Sequence, residues 1–300
     1  MRTIVGITGT TSVGKSEVAV ALAKLLNSEV ISADSMQIYK GMDIGTAKIT
    51  SAEMRGVTHH MLDIVEPNSN YSSFLYQRDA SKIIDNITCL PIVVGGTGFY
   101  FDSLIYPPEF GNADEERRLE LQRILRNNGI EELQQLLKNL DIDTYQKIDL
   151  NNPKRVLRAI EIAESGSKLP HGVRKTNPRY NLLLFVLQRD RNELYKQIDQ
   201  RVDRMFEKGL VDEVRTLTEK YGYIDTSAFS AIGYKEVIDY LKGNCSEEMA
   251  KAQIKINTRH YAKRQITYFK KMNVTEFISV DGKRCDEIAE HIFNRILLHT

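Results

Sequence analysis

Charge of one sign is missing from this chain. Its 41 Lys and Arg residues stand against 40 Asp and Glu, a net charge of +1, so there is no global basic field and any nucleic-acid contact has to come from local patches. Cysteine is scarce. Cys89, Cys245 and Cys285 are isolated, with no partner at metal-ligand spacing and no even count, which argues against a disulfide framework and for buried thiols in a reducing compartment. Long apolar runs are absent too: the longest, residues 182–187, is far too short to span a bilayer, and only Met1-Arg2-Thr3 precede the first apolar run, with no basic leader. A soluble, cytoplasmic protein with no membrane partner is expected. There are no internal repeats or low-complexity tracts, and 300 residues with 42% hydrophobic content suit one large domain, or a domain with an insertion.

What is present is a glycine-rich loop. Gly9, Thr10, Thr11, Ser12, Val13, Gly14, Lys15 and Ser16 follow the apolar run of residues 4–7 and precede an amphipathic pattern over residues 17–26, giving G-x-x-x-x-G-K-[ST] between strand and helix. The amides and helix start point at an anion, Lys15 adds a charge, and the Ser16 hydroxyl can hold Mg²⁺. The ligand therefore carries at least two linked phosphates, of a nucleotide or of another pyrophosphate ester.

Apolar runs recur at residues 29–32, 91–94 and 181–187, with helical patterns between, which predicts a parallel α/β sheet with its ligands off the carboxyl ends of the strands. Asp34-Ser35 follows the second run and Gly95-Gly96-Thr97-Gly98 the third. Asp34 could accept a proton from a nucleophile or bind Mg²⁺ through water, or simply cap a turn. The Thr97 hydroxyl could donate to a phosphate oxygen. Arg201, on a helix predicted over residues 191–221, could close over a pyrophosphate, unless a neighbour such as Gln197 makes it structural. His59 and His60, adjacent in sequence, suit packing or hydrogen bonding better than metal ligation.

The alternation stops near Pro107-Pro108, and residues 114–165 are helical in pattern, followed by a basic, proline-broken stretch at 167–179 expected to be a mobile loop. This predicts a core of residues 1–112 and 180–300 around a helical insertion of residues 113–179. Helices are predicted over 234–241, 247–272 and a last segment to residue 299. Residues 246–272 hold seven Lys or Arg against two acids, and Lys251, Lys255, Arg259 and Lys263 recur at i,i+4, predicting a one-sign stripe suited to a phosphate backbone.

Together these segments resemble the tRNA dimethylallyltransferase (tRNA isopentenyltransferase) family. The likeness rests on DSMQIYKGMDIGTAK (34–48), HHMLDI (59–64), VGGTGFY (94–100), NNPKRVLRAIEI (151–162), AIGYKE (231–236) and TRHYAKRQITYF (258–269), in family order and spanning nearly the whole chain. It implies a P-loop NTPase-like parallel sheet flanked by helices, and a loop that holds the pyrophosphate of dimethylallyl diphosphate. The implied acceptor is the exocyclic amine of the adenosine 3′ to a tRNA anticodon. Asp34 becomes the matched general base, and Lys15, Thr97, Arg201 and Mg²⁺ near Ser16 neutralise the leaving group. The adenosine has to flip out, with Ser35, Met36 and Gln37 nearest. Matched tRNA contacts are Arg118, the run Lys154, Arg155, Val156, Leu157 and Arg158, and the segment holding Lys263, Arg264 and Gln265. Lys255 and Arg259 join them through the stripe.

Two positions depart from the family pattern: Thr10 stands where proline is common and Tyr268 where tryptophan is, in a chain with no tryptophan at all. No Cys/His-rich C-terminal finger is present. The enzyme is expected to act as a monomer. Rival readings are a transferase that prenylates AMP, ADP or ATP, a P-loop kinase of a small molecule, and a non-catalytic RNA-binding protein. The helical insertion and basic stripe argue against the first, the order of the other signatures against the second, and intact Lys15, Ser16, Asp34 and Thr97 against the third.

Overall fold

In a computed structural model, which describes residues 1–106, 115–165 and 178–299, all four apolar runs are strands: β1 (Arg2–Gly9), β2 (Val30–Ser32), β4 (Ile92–Val94) and β5 (Tyr180–Gln188). Two further strands complete the sheet, β3 (His59–His60) and β6 (Glu276–Ser279), in the order β3-β2-β4-β1-β5-β6 with every pairing parallel. The sequence reading missed both. β3 is two residues long, and in β6 only Ile278 is buried, so neither makes an apolar run. Because β1 lies centrally, with β2 to β4 on one side and β5 and β6 on the other, the loop after it opens where the winding reverses. Ligands bind at such a switch point.

Strand β1 is buried on both faces from Ile4 onward, as a covered parallel strand must be. On one face Val5, Ile7, Phe185 and Leu187 pack with Val18 and Leu22 of α1 (Lys15–Leu26) and with Ile288 and Ile292 of α13 (Cys285–Leu297). On the other, Gly6 lies against Leu182, Leu184 and Phe101, and Phe101 meets Phe269 edge to face at 6.3 Å. Those two rings belong to α4 (Gly98–Ile105), which follows α2 (Ser51–Met54) and α3 (Ser73–Asn86), and to α12 (Glu247–Phe269).

A second core gathers Ile38, Tyr39 and Met42 against α9 (Arg191–Glu207), α10 (Leu210–Tyr221) and α11 (Tyr234–Leu241). The single helix predicted over residues 191–221 is in fact this α9–α10 pair, broken at Lys208-Gly209, with Gly209 in the left-handed region. No helix among the described residues is long and apolar enough to cross a membrane.

The chain divides into two compact units, Met1–Ile105 with Pro178–Thr300, and Tyr106–Asn177. Within the second, α5 (Glu115–Asn128), α6 (Ile130–Leu140), α7 (Ile142–Tyr145) and α8 (Pro153–Glu164) bury Leu121, Leu133, Leu137, Val156 and Ile160. Pro107-Pro108 and most of the basic stretch at 167–179 lie outside the described residues; of that stretch Arg179 is described, and its guanidinium reaches Asp85 at 2.8 Å.

Strands β2 and β4 close tightly at their carboxyl ends. The amide of Ala33 donates to the Val94 carbonyl at 2.6 Å, and that of Thr97 to the Ala33 carbonyl at 3.2 Å. A Cβ on Gly95 would come within 2.1 Å of the Ala33 oxygen, a backbone atom that cannot step aside. Gly95→Ala is therefore expected to cost about 1–3 kcal/mol, the range for overpacking. Thermal denaturation reads it, and an unchanged midpoint would mean that the two strand ends separate freely.

Candidate active site

The glycine-rich loop leaves β1 and enters α1 at Lys15, so the lysine and the amides before it face the carboxyl edge of the sheet. Ser12 sits in the left-handed region at φ 62, bending the loop into a concave nest. The side-chain hydroxyls of Thr10 and Ser12 are buried without a hydrogen-bond partner. Lys15 Nζ donates to the carbonyls of Thr10 at 2.7 Å and Gly9 at 3.3 Å. Buried polar groups without partners are costly. A loop with two orphaned hydroxyls and a lysine turned onto its own carbonyls is built around an anion.

Lys15 and Ser16 share a small cavity with Asp34, Gln37, His59 and Leu62. Asp34 Oδ1 accepts from the amides of Met36 at 2.9 Å and Gln37 at 3.4 Å, so this oxygen fixes its own turn and leaves the other to the cavity. Thr97 Oγ1 accepts from the Ser35 amide at 3.0 Å, tying the second glycine loop to the Asp34 turn. Arg201 reaches in from α9 and donates to the Thr46 carbonyl at 3.1 Å. Burial, reinforced by the charge of Arg201, pushes the Lys15 ammonium down to about 8, and Asp34 opposes the shift. Burial likewise draws Arg201 below the usual arginine range, again against Asp34.

Two supporting side chains, Tyr261 and Glu213, escaped the sequence reading, and a third, His59, does more than it predicted. Tyr261 of α12 aims its hydroxyl at the Gly96 carbonyl, 3.5 Å away, and burial followed by the Asp34 charge raises its pKa, so it stays a neutral donor. His59, expected to serve packing or hydrogen bonding, does hydrogen-bond and also lines the cavity. Its Nδ1 lies 2.9 Å from the Val57 carbonyl, and burial lowers its pKa, so the ring is neutral. Glu213 of α10 accepts from the amides of Asp43, Ile44 and Gly45 at 3.0, 2.7 and 3.1 Å and from the Tyr234 hydroxyl at 2.6 Å. It thereby holds the turn whose Thr46 carbonyl receives Arg201. A carboxylate 179 positions after Asp34 carries no local motif that would have pointed to this turn.

Several expected tRNA contacts sit elsewhere. Gln265 is 4% exposed and spends both ends of its amide inside the protein, Oε1 accepting from the Thr11 amide at 2.8 Å and Nε2 donating to the Gly96 carbonyl at 3.0 Å. It clamps the two glycine loops together. Val156 and Leu157 are core residues of the helical unit, since α8 turns them inward, while Lys154 and Arg155 are exposed. Arg158 and Arg118 both approach Glu161, at 3.0 and 3.6 Å.

The one-sign stripe is not one-sign in three dimensions. Lys251 and Lys255 pair with Asp203 at 3.0 and 2.7 Å, and Arg259 with Asp199 at 2.7 Å, because that face of α12 packs on α9. Lys263 and Arg264, further along, are exposed.

Comparison with known proteins gives this arrangement a family. The model of the IPP transferase family matches residues 37–272, and that of isopentenyl transferase matches residues 2–67. The chain belongs to the IPP transferase family. Among IPP transferase relatives, the tRNA dimethylallyltransferase of Caldanaerobacter subterraneus subsp. tengcongensis is 44% identical over 307 residues, covering 97% of this chain and 96% of its own length. That of Clostridioides difficile is 43% identical over 295 residues, covering 95% and 94%. The solved full-length tRNA isopentenylpyrophosphate transferase of Bacillus halodurans superposes with a TM-score of 0.75 at 40% identity, over 99% of this chain and 96% of that one. A eukaryotic dimethylallyltransferase described as acting on tRNA superposes at 0.85 with 28% identity, over 100% of this chain and 80% of its own.

The depressed Lys15 pKa carries a stability consequence. Between about 8 and 10.5 the folded IPP transferase binds fewer protons than the unfolded chain, so the lysine's contribution to stability rises with pH across that window. Below it the full cost of the buried charge is present. Lys15→Met is expected to raise the thermal midpoint of the ligand-free protein at pH 7 and to abolish its affinity for inorganic pyrophosphate. A midpoint that falls would show that the ammonium stabilises the loop.

Proposed function

We propose that this chain transfers the dimethylallyl group of dimethylallyl diphosphate to the exocyclic amine of the adenosine 3′-adjacent to a tRNA anticodon, releasing pyrophosphate. The meeting of Asp34 and Lys15 in one cavity, with Arg201 close enough to act on both electrostatically, carries the reading, because it brings a proton acceptor together with two cations. Relatives named for tRNA dimethylallyl transfer supply the substrate class. In the reaction the amine nitrogen bonds to the allylic carbon as the carbon–oxygen bond breaks. The bonding pair departs with pyrophosphate, and the amine proton passes to Asp34 Oδ2. Lys15, Arg201 and the Thr97 hydroxyl meet the charge that grows on the leaving oxygen.

The target base has to leave its stack to reach this cavity, where Ser35, Met36 and Gln37 line the turn that would read its edge. Mg²⁺ fits the donor set, because the Ser16 hydroxyl at the cavity is a hard oxygen ligand. Ser16 would hold it, and it would supply charge neutralisation there. A tRNA substrate fits an enzyme of the cytoplasm.

Mass spectrometry of tRNA incubated with the protein, Mg²⁺ and dimethylallyl diphosphate, beside reactions on AMP and ATP, tests the assignment. Prenylated tRNA alone is expected, and product on free AMP or ATP alone would overturn it. Asp34→Asn is expected to slow single-turnover transfer about 10²–10⁴-fold, the scale for a lost general base, with tRNA affinity within a few-fold. An unchanged rate would remove Asp34 from the chemistry.

The paired and exposed halves of α12 should separate in salt titrations. Lys263→Glu is expected to weaken tRNA binding and flatten the slope of log affinity against log salt, because one phosphate contact is lost. Lys255→Ala is expected to leave that slope unchanged, its charge being already engaged by Asp203. Equal slopes for wild type and Lys263→Glu would shift the electrostatic contact to Lys154, Arg155 and their neighbours on α8.

A further inference from the structure

Phe99 is the second residue after Thr97, on the first turn of α4, and its ring is 70% exposed. Scattered apolar residues on a surface are ordinary and need no explanation. This ring is neither scattered nor loose. Its centroid lies 5.2 Å from that of Tyr268 at a tilt of 59°, and Tyr268 is anchored by its hydroxyl to Asp102. Tyr268 in turn packs edge to face on the buried Phe269, with centroids 5.9 Å apart. A Cβ on Gly98 would fall 2.2 Å from Tyr268 Cδ1, so α4 and α12 meet here as closely as two backbones with an aromatic ring between them can. Arg264, one helical turn before Tyr268, is exposed and carries its guanidinium 5.7 Å from the Tyr261 ring. An exposed aromatic face, backed by a fixed ring, thus stands two residues beyond Thr97, and the exposed Arg264 precedes that backing ring by one helical turn.

We propose that the outer face of Phe99 is a stacking subsite for an unpaired nucleobase, the one adjoining the base that enters the cavity. The inference rests on the RNA-prenylating reading above and adds to it a residue that touches RNA without touching the reacting atoms. Flipping one base out of a stacked loop leaves its neighbour with an uncovered face. An aromatic ring four residues beyond Gly95, which lines the cavity, covers that face at little entropic cost, because its backing is already ordered. Stacking of this kind ignores base identity and, unlike a phosphate contact, releases no counterions.

The experiment replaces Phe99 by Leu, which keeps bulk and hydrophobicity, and by Trp, which keeps an aromatic face. Since the ring is exposed, both variants should fold, and thermal denaturation checks this. Phe99→Leu is expected to raise Kd and KM for the anticodon stem-loop about 5- to 100-fold, the equivalent of losing one base–aromatic stack. Its salt slope, its pyrophosphate affinity and its kcat at saturating RNA should match wild type, and Phe99→Trp should restore RNA affinity. Stem-loops with 2-aminopurine beside the target adenosine report the contact directly, their fluorescence quenched on binding wild type and Phe99→Trp but not Phe99→Leu. Equal affinity and equal quenching for all three proteins would overturn the subsite while prenyl transfer to tRNA stood. Absence of transfer by the wild type would instead sink the functional reading beneath it.

Discussion

Lys15 and Arg201, both half-buried, lie within electrostatic reach of each other and of one carboxylate, Asp34. Each cation is pulled below its ordinary proton affinity, Lys15 by burial and by Arg201 as well, and Asp34 offsets only part of the pull. Such a cluster is short of negative charge until a polyanion arrives. The ligand-free fold tolerates this by turning the lysine onto the carbonyls of Gly9 and Thr10 and the arginine onto that of Thr46. These are weak substitutes for a diphosphate. On the proposed function, part of the anion's binding energy is held in the fold as unsatisfied charge and is released where the leaving group needs stabilising.

Holding like charges together requires rigid supports, and two polar side chains far away in sequence provide them. Gln265 ties the amide of Thr11 to the carbonyl of Gly96, so the loops after β1 and β4 cannot drift apart. Glu213 gathers three amides and a tyrosine hydroxyl, so the turn that receives Arg201 is fixed from behind. Both side chains satisfy several partners at once, which is what makes a buried polar group an asset instead of a cost. The site is thus assembled from α10 and α12 as much as from the loops that carry its chemistry.

That division explains what the sequence could and could not say. Strands β1, β2, β4 and β5 are apolar runs bounded by turns, and the phosphate loop is a contiguous motif, so local reading reaches them. Strands β3 and β6 escape because a strand of two residues, or one with a single buried side chain, has no period to detect. The stripe on α12 shows a different limit. Helical spacing correctly puts Lys251, Lys255 and Arg259 on one face, but it cannot reveal that α9 brings Asp199 and Asp203 against that face. Val156 and Leu157 fail for a related reason: a matched run spans both sides of a helix, and only one side of α8 is free. Gln265 lay inside a matched segment, yet its work as a clamp depends on two loops more than 160 residues away.

With Lys251, Lys255 and Arg259 engaged by aspartates, the exposed basic residues of α12 are Lys263 and Arg264, in a chain of net charge +1. The fewer phosphates a protein neutralises, the shallower its salt dependence and the weaker its nonspecific hold on duplex. The contacts proposed above are ones that a helix of paired bases cannot make: a flipped adenosine at the Asp34 cavity and an uncovered base against Phe99. Both require single-stranded, unstacked nucleotides. On the proposed function, such contacts favour a loop over a stem before any base edge is read.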